Sequence, residues 1–187
     1  MSINFHLTSW RIYDIIRVFQ REQERKKKES EKKMERRIVF DMDGTLADLY
    51  SVDEWKEKLN ALNPTPYKEA KPLFKFSQLA RQLNTLQENG YEICVVSWLS
   101  MTTNETYDNQ VRKAKLRWLQ THLPSVVWNE IHIVEYGVPK SSIASGILFD
   151  DNAEVRQDWC ANGGIAFDER SICQILGLIL SGEFDLS

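Results

Sequence analysis

Arg36-Arg37-Ile38-Val39-Phe40-Asp41-Met42-Asp43-Gly44-Thr45 decides how the rest of this chain is read. Arg36-Arg37-Ile38-Val39-Phe40 is a short apolar run with the length and composition of a buried strand, and two carboxylates follow where that strand should end. Open α/β sheets bind ligands at the carboxyl ends of their strands, so Asp41 is a candidate nucleophile. Residues i and i+2 of a chain leaving a strand project the same way, which lets Asp41 and Asp43 face one reacting group before Gly44 turns the chain aside. An aspartate attacking a phosphate monoester forms an acyl phosphate, and a second carboxyl beside it can protonate the leaving oxygen and then activate water. Asp-Gly is also a common turn dipeptide, so a strand followed by an Asx turn is the plainer alternative for the pentapeptide alone.

The proposed chemistry needs a phosphate-binding hydroxyl, a cation and a metal-binding carboxylate, and all three follow in order. A helical stretch from Phe76 to Asn89 is broken by Gly90, and Tyr91-Glu92-Ile93-Cys94-Val95-Val96 reads as a second buried strand ending at Ser97, whose hydroxyl can donate to a phosphate oxygen. A helix from about Thr106 to His122 turns Val111, Ala114 and Trp118 inward, and Glu130-Ile131-His132-Ile133-Val134 reads as the third strand. Lys140 follows the loop signal Gly137-Val138-Pro139 and is preferred as the cation, because its competitors Lys113 and Lys115 fall inside a periodic helix. Ser145-Gly146-Ile147-Leu148-Phe149 is a fourth strand leading into Asp150-Asp151-Asn152, a pair of hard oxygen ligands suited to Mg²⁺, or a helix-capping turn before Ala153. Gly164-Ile165-Ala166-Phe167 gives a fifth strand and Ser171 to Leu180 a closing amphipathic helix.

With these segments in place, the sequence resembles the haloacid dehalogenase-like (HAD) hydrolases over roughly residues 36 to 180. Asp41-Met42-Asp43-Gly44-Thr45, Ser97, Lys140 and Asp150-Asp151 match that superfamily's four motifs in order. Lys115-Leu116-Arg117-Trp118-Leu119, His122-Leu123-Pro124 and Gly146-Ile147-Leu148-Phe149-Asp150-Asp151 look most like its 5′(3′)-deoxyribonucleotidase branch. The resemblance implies an α/β fold, a HAD-like Rossmannoid three-layer sandwich whose five-stranded parallel sheet has order 5-4-1-2-3, and a small helical cap at about 46–75. In that cap, Asp53 to Leu59 reads as helix and Asn63-Pro64-Thr65-Pro66 as loop. The implied reaction is hydrolysis of a phosphate monoester through a phosphoaspartate. Asp41, Asp43 (through its backbone carbonyl), Asp150 and Asp151 would hold Mg²⁺, with Asp41, Asp43, Ser97 and Lys140 catalytic. Gly44, Thr45, Ser97, Trp98 and Trp55 are the substrate-binding candidates, with Tyr67 and Phe74 further cap residues that could contact the leaving group. A nucleotide-like substrate is expected; a nucleic-acid end phosphatase and a non-catalytic assembly protein on the same fold are the alternatives.

Composition agrees with one catalytic domain at 36–187: 187 residues, 42% hydrophobic, suffice for one core, and a net charge of −3 gives no overall basic footprint. Cys94, Cys160 and Cys173 are scattered and odd in number, which argues against a disulfide framework and for a reducing cytoplasm. No apolar run approaches the roughly 20 residues of a membrane span, and the start lacks a signal-peptide pattern, so no membrane partner is expected. Residues 1–35 stand apart as a helical extension in which Trp10, Tyr13, Ile16 and Phe19 recur at helical spacing before a charged run. Glutamates interleave with its basic residues, so it lacks the one-sign field of a nucleic-acid ligand; docking on the catalytic domain or on a second copy, giving a homo-oligomer, is the expectation.

Overall fold

The computed structural model describes residues 17, 19–25 and 36–184 of the chain. Five parallel strands form one sheet: β1 (Arg37–Phe40), β4 (Glu92–Trp98), β5 (Glu130–Val134), β6 (Ile147–Phe149) and β7 (Ile165–Phe167). Their spatial order is β5-β4-β1-β6-β7; numbered among these five and read from the β7 edge, this is the expected 5-4-1-2-3. Two short strands, β2 (Ala47–Asp48) and β3 (Lys71–Pro72), pair antiparallel and make a separate ribbon.

Strand periodicity assigns the core to two faces. Ile38, Phe40, Ile93, Val95, Ile147 and Phe149 point to one face and pack against three helices, α3 (Phe76–Glu88), α4 (Glu105–His122) and α6 (Ile172–Ser181). Val39, Cys94, Val96 and Leu148 point to the other, where Val155 and Trp159 of α5 (Ala153–Ala161) cover them. Ile38, Val39 and Phe40 are completely buried, which is why β1 carries no polar side chain between Arg37 and Asp41. Burial of such side chains stabilises the fold by about 1.5–3 kcal/mol each as an upper range. At the opposite end of the sheet the Arg37 guanidinium reaches Glu92 at 2.6 Å and Glu130 at 3.0 Å, tying β1, β4 and β5 together.

Helix boundaries follow local chemistry. Asn104 caps α4 by accepting from Tyr107 N–H at 2.9 Å, and Asn152 caps α5 by accepting from Glu154 N–H at 2.9 Å. The capping duty thus falls to Asn152, whose own N–H donates to Asp150 Oδ1 at 2.9 Å in the turn before the helix. Gly90, at φ +83, ends α3 in the left-handed conformation that glycine adopts at least cost.

The insertion between β1 and α3 is a small cap. It holds α1 (Trp55–Asn60) and a second short helix, α2 (Thr65–Glu69), with the β2–β3 ribbon at its base. The loop expected at Asn63-Pro64-Thr65-Pro66 is therefore corrected: Thr65 and Pro66 open α2. Proline in the first turn has no N–H to satisfy and a preset φ, while the Asn63 side chain accepts from Thr65 N–H at 3.0 Å. Residues 19–25 are helical and Phe19 is 62% exposed; Trp10, Tyr13 and Ile16 lie outside the described residues. Among the described residues no helix is long and apolar enough to cross a membrane.

Candidate active site

Strand β1 and its neighbour β6 end side by side, and the two acidic motifs meet there. Asp41 N–H donates to Phe149 O at 2.9 Å, extending the β1–β6 pairing by one residue and fixing Asp41 beside Asp150. One carboxylate oxygen from each of Asp41, Asp150 and Asp151 lies within 4.8 Å of the others. Three hard oxygen donors so close together, two of them buried, fit a divalent cation such as Mg²⁺. The 3₁₀ turn Lys140–Ser142, between β5 and β6, places Lys140 Nζ 2.7 Å from Asp41 Oδ1 and 2.7 Å from Asp150 Oδ2. Sequence pattern suggested a mobile loop lysine; in the structure Lys140 is 2% exposed and held over the Trp98 ring at 4.9 Å.

A second lysine enters from α4. Lys115 Nζ donates to Asp43 Oδ2 at 2.6 Å, Ser97 Oγ at 2.8 Å and Trp98 O at 2.7 Å. Setting Lys115 aside for lying in a periodic helix is corrected here: the helix is amphipathic, and position 115 falls on its buried stripe with Val111, Ala114, Trp118 and Leu119. A charged residue in register with an apolar stripe was the available signal.

Burial dominates the electrostatics. It raises the Asp43 carboxyl above the usual range against the pull of Lys115, with Asp41 adding to the rise. Burial, then Asp41, pushes Asp150 up to about 6 although Lys140 opposes it; burial, then Asp41 and Asp150, pushes Asp151 up to about 7. Burial works against the Lys140 charge, but Asp41 and Asp150 outweigh it and hold the ammonium above its ordinary value. The cluster thus resists full ionisation until positive charge is added.

Asp41, Asp43, Lys140, Asp150 and Asp151 line a cavity of about 280 Å³ roofed by the cap. Trp55 and Trp98 also line it, as does Tyr67 of α2. The other candidates sit elsewhere. Ser97 is fully buried behind the cavity wall, its Oγ accepting from Lys115. Gly44 and Thr45 lie behind Asp151: Thr45 Oγ1 accepts from Asp151 N–H at 3.0 Å, and Gly44, at φ +80, leaves no room for a Cβ, which would come 2.5 Å from Asp151 Oδ2. Phe74 packs on the main core and edge-on to Phe76 at 5.3 Å. Residues with no sequence signal also contribute to the wall, among them Tyr50, Ser100, Met101 and Tyr136. Tyr50 meets Trp55 and Tyr136 meets Trp98, each pair with ring centroids 5.0 Å apart.

No protein-family model and no curated protein matches the sequence. Among solved structures the chain is similar to D,D-heptose 1,7-bisphosphate phosphatase from B. bronchiseptica complexed with magnesium and phosphate, at 13% identity over 70% of this chain and 78% of that one, TM-score 0.46. It is also similar to a hydrolase from Streptococcus pneumoniae TIGR4, at 13% identity over 77% of this chain and 99% of that one, TM-score 0.49. A D,D-heptose 1,7-bisphosphate phosphatase from Burkholderia thailandensis gives 11% identity over 78% and 99%, TM-score 0.44. The roles given to individual residues rest on the geometry of the site.

Proposed function

We propose that this protein is a HAD-type phosphoric monoester hydrolase, with one catalytic domain at 36–187, that forms a phosphoaspartate on Asp41 and uses Mg²⁺. The observation that carries the reading is the meeting, at one sheet edge, of a buried Asp41, the Asp43 carboxyl two residues on, the Lys140 ammonium and the Asp150-Asp151 pair. A structural ion-pair network would need no cavity beside it.

In this mechanism an Asp41 oxygen attacks phosphorus in line, forming the acyl-phosphate bond as the bond to the leaving oxygen breaks. Asp43 gives its proton to that oxygen. A water molecule then loses a proton to Asp43 and attacks the phosphoaspartate, releasing inorganic phosphate and restoring Asp41. Lys140 neutralises Asp41 and a phosphoryl oxygen, and backbone N–H groups near the strand ends hold the others, while Ser97, buried behind the cavity wall, bears on the site through Lys115. Asp41, Asp150, Asp151 and the Asp43 backbone carbonyl would hold the cation, which supplies the positive charge that offsets repulsion between the carboxylates and a phosphate dianion.

The mouth supports a nucleotide-like small phosphate. Tyr50, Met101 and Tyr136 are 50%, 70% and 51% exposed, and with Trp55 and Trp98 they offer flat apolar surface to a leaving group carrying a ring. The three free cysteines fit a reducing cytoplasm. The test is Asp41→Asn against a panel of phosphorylated metabolites with Mg²⁺: wild type should turn over, and the variant should fold yet lose turnover. Near-wild-type turnover by the variant would refute the covalent mechanism.

One observation favours a second reading, a phosphatase of nucleic-acid ends. A groove of about 350 Å³ beside the cap is lined by Lys68 of α2 and by Lys113 and Arg117 of α4, with no carboxylate in its lining. Among the described residues none of these three cations is paired with a carboxylate. Lys68 is the chain neighbour of Tyr67 in the cavity wall, so a strand whose phosphorylated end enters the cavity could continue along the groove. On that reading Lys113→Glu with Arg117→Glu raises KM for a phosphorylated oligonucleotide about tenfold or more at low salt and leaves a mononucleotide unaffected. Equal effects on both substrates count against it.

A further inference from the structure

Lys115 contacts the candidate acid/base without reaching the cavity. It is 1% exposed and absent from the cavity wall, so it touches Asp43 from behind. An ammonium has three N–H donors, and here all three are used: Asp43 on the turn after β1, and Ser97 Oγ and Trp98 O on β4. From the cap side the Tyr67 ring covers the same nitrogen at 5.0 Å. Taking an ammonium out of water is costly, and the cost is offset only where every donor is saturated, as it is here.

We propose, on the phosphatase reading above, that Lys115 is a positioning residue that holds the Asp43 carboxyl against the leaving-group oxygen and sets the direction of the Ser97 hydroxyl. Among the described residues Lys115 is the one side-chain hydrogen-bond partner of the Asp43 carboxyl, which follows the last residue of β1 by three positions. Lys115 fixes one of its oxygens, Oδ2, and leaves Oδ1 for the proton exchanged with the leaving group. The Ser97 Oγ spends a lone pair on Lys115, so its own proton remains for another acceptor. Lys140 and Lys115 thereby divide the work: Lys140 serves the nucleophile and the metal carboxylates, while Lys115 serves the acid/base and the cap.

The division predicts how loss of Lys115 depends on the leaving group. General acid catalysis contributes about 100- to 10,000-fold when the departing oxygen is a poor leaving group and little when it is a good one. The experiment compares kcat/KM, which reports the phosphoryl-transfer step, for benzyl phosphate and 4-nitrophenyl phosphate in wild type and Lys115→Met. Removing a positive charge near phosphate slows both substrates alike, so the ratio isolates proton donation. The expected result is a loss about 100-fold greater on benzyl phosphate than on 4-nitrophenyl phosphate. Equal losses overturn the proposal, since a merely structural lysine would lower both together. Should Lys115→Met fail to fold, Lys115→Arg keeps the charge and displaces it, and the same split is expected. If wild type turns over neither substrate nor any phosphate monoester, the phosphatase reading falls and this proposal with it. Turnover that Asp41→Asn abolishes, with no split at Lys115, overturns this proposal alone.

Discussion

Adding Mg²⁺ to the metal-free protein should raise its melting temperature, and the site's charge sets the size and pH dependence of the rise. Asp41, Asp150 and Asp151 face one ammonium, Lys140, which leaves a formal surplus of two negative charges in a buried cluster. A divalent cation cancels that surplus. At a free concentration one hundred times its dissociation constant it stabilises the native state by about 2.7 kcal/mol. For a chain of this size that is a rise in Tm of roughly 5–11 °C. The pH dependence follows from Asp150 and Asp151, pushed up to about 6 and about 7 from 3.8. Because both are raised in the fold, the stability they contribute without metal is complete below the ordinary value and is lost as pH rises through those two values. Cation binding needs the ionised forms, so the Mg²⁺-induced rise should be small near pH 5 and reach its full size by about pH 8. Scanning calorimetry after chelator treatment, with and without Mg²⁺, measures it. Asp150→Asn should lose most of the rise while gaining stability without metal at high pH. A Tm that ignores Mg²⁺ across this range, or an Asp150→Asn protein that responds as wild type does, refutes the assignment of the cluster to a cation.

Gly44→Ala should destabilise the fold by about 1–2 kcal/mol from the positive φ, with the ends of the Asp151 and Tyr50 side chains, each 2.5 Å from the new Cβ, having to shift. Urea unfolding reads the loss, and an unchanged midpoint would show that the turn can relax. Deleting residues 1–33 should lower the mass measured by light scattering if that segment joins copies of the chain; an unchanged mass removes this role from it.

Most of the fold was legible because its elements are short, strongly periodic and separated by clear breaks. Ile38-Val39-Phe40 and Ile147-Leu148-Phe149 are continuous apolar runs because a parallel strand is covered on both faces, and both were placed within two residues of their observed starts. The cap was less legible. Strands β2 and β3 have two residues each, too few to show alternation, and α2 begins at Thr65-Pro66, where a Pro-rich tetrapeptide reads equally as a loop.

The same contrast divides the site. Asp41, Asp43, Asp150 and Asp151 were legible because strand ends put them where chemistry is expected, and pairing of β1 with β6 did the rest. Lys115 was hidden because its partners come from chain segments 72, 18 and 17 residues away, and no local pattern announces a contact made across a sheet and a helix. What the sequence does show is a cost: a lysine aligned with Val111, Ala114 and Trp118 must be buried with the stripe or break it. A fold that retains the helix must therefore supply acceptors for that ammonium. The open carbonyl at the end of β4 and the carboxylate beyond β1 are the acceptors nearest the active edge. A charged residue in phase with a buried helical face is thus a better guide to a hidden site residue than one in a loop, because only the former forces its surroundings to answer it.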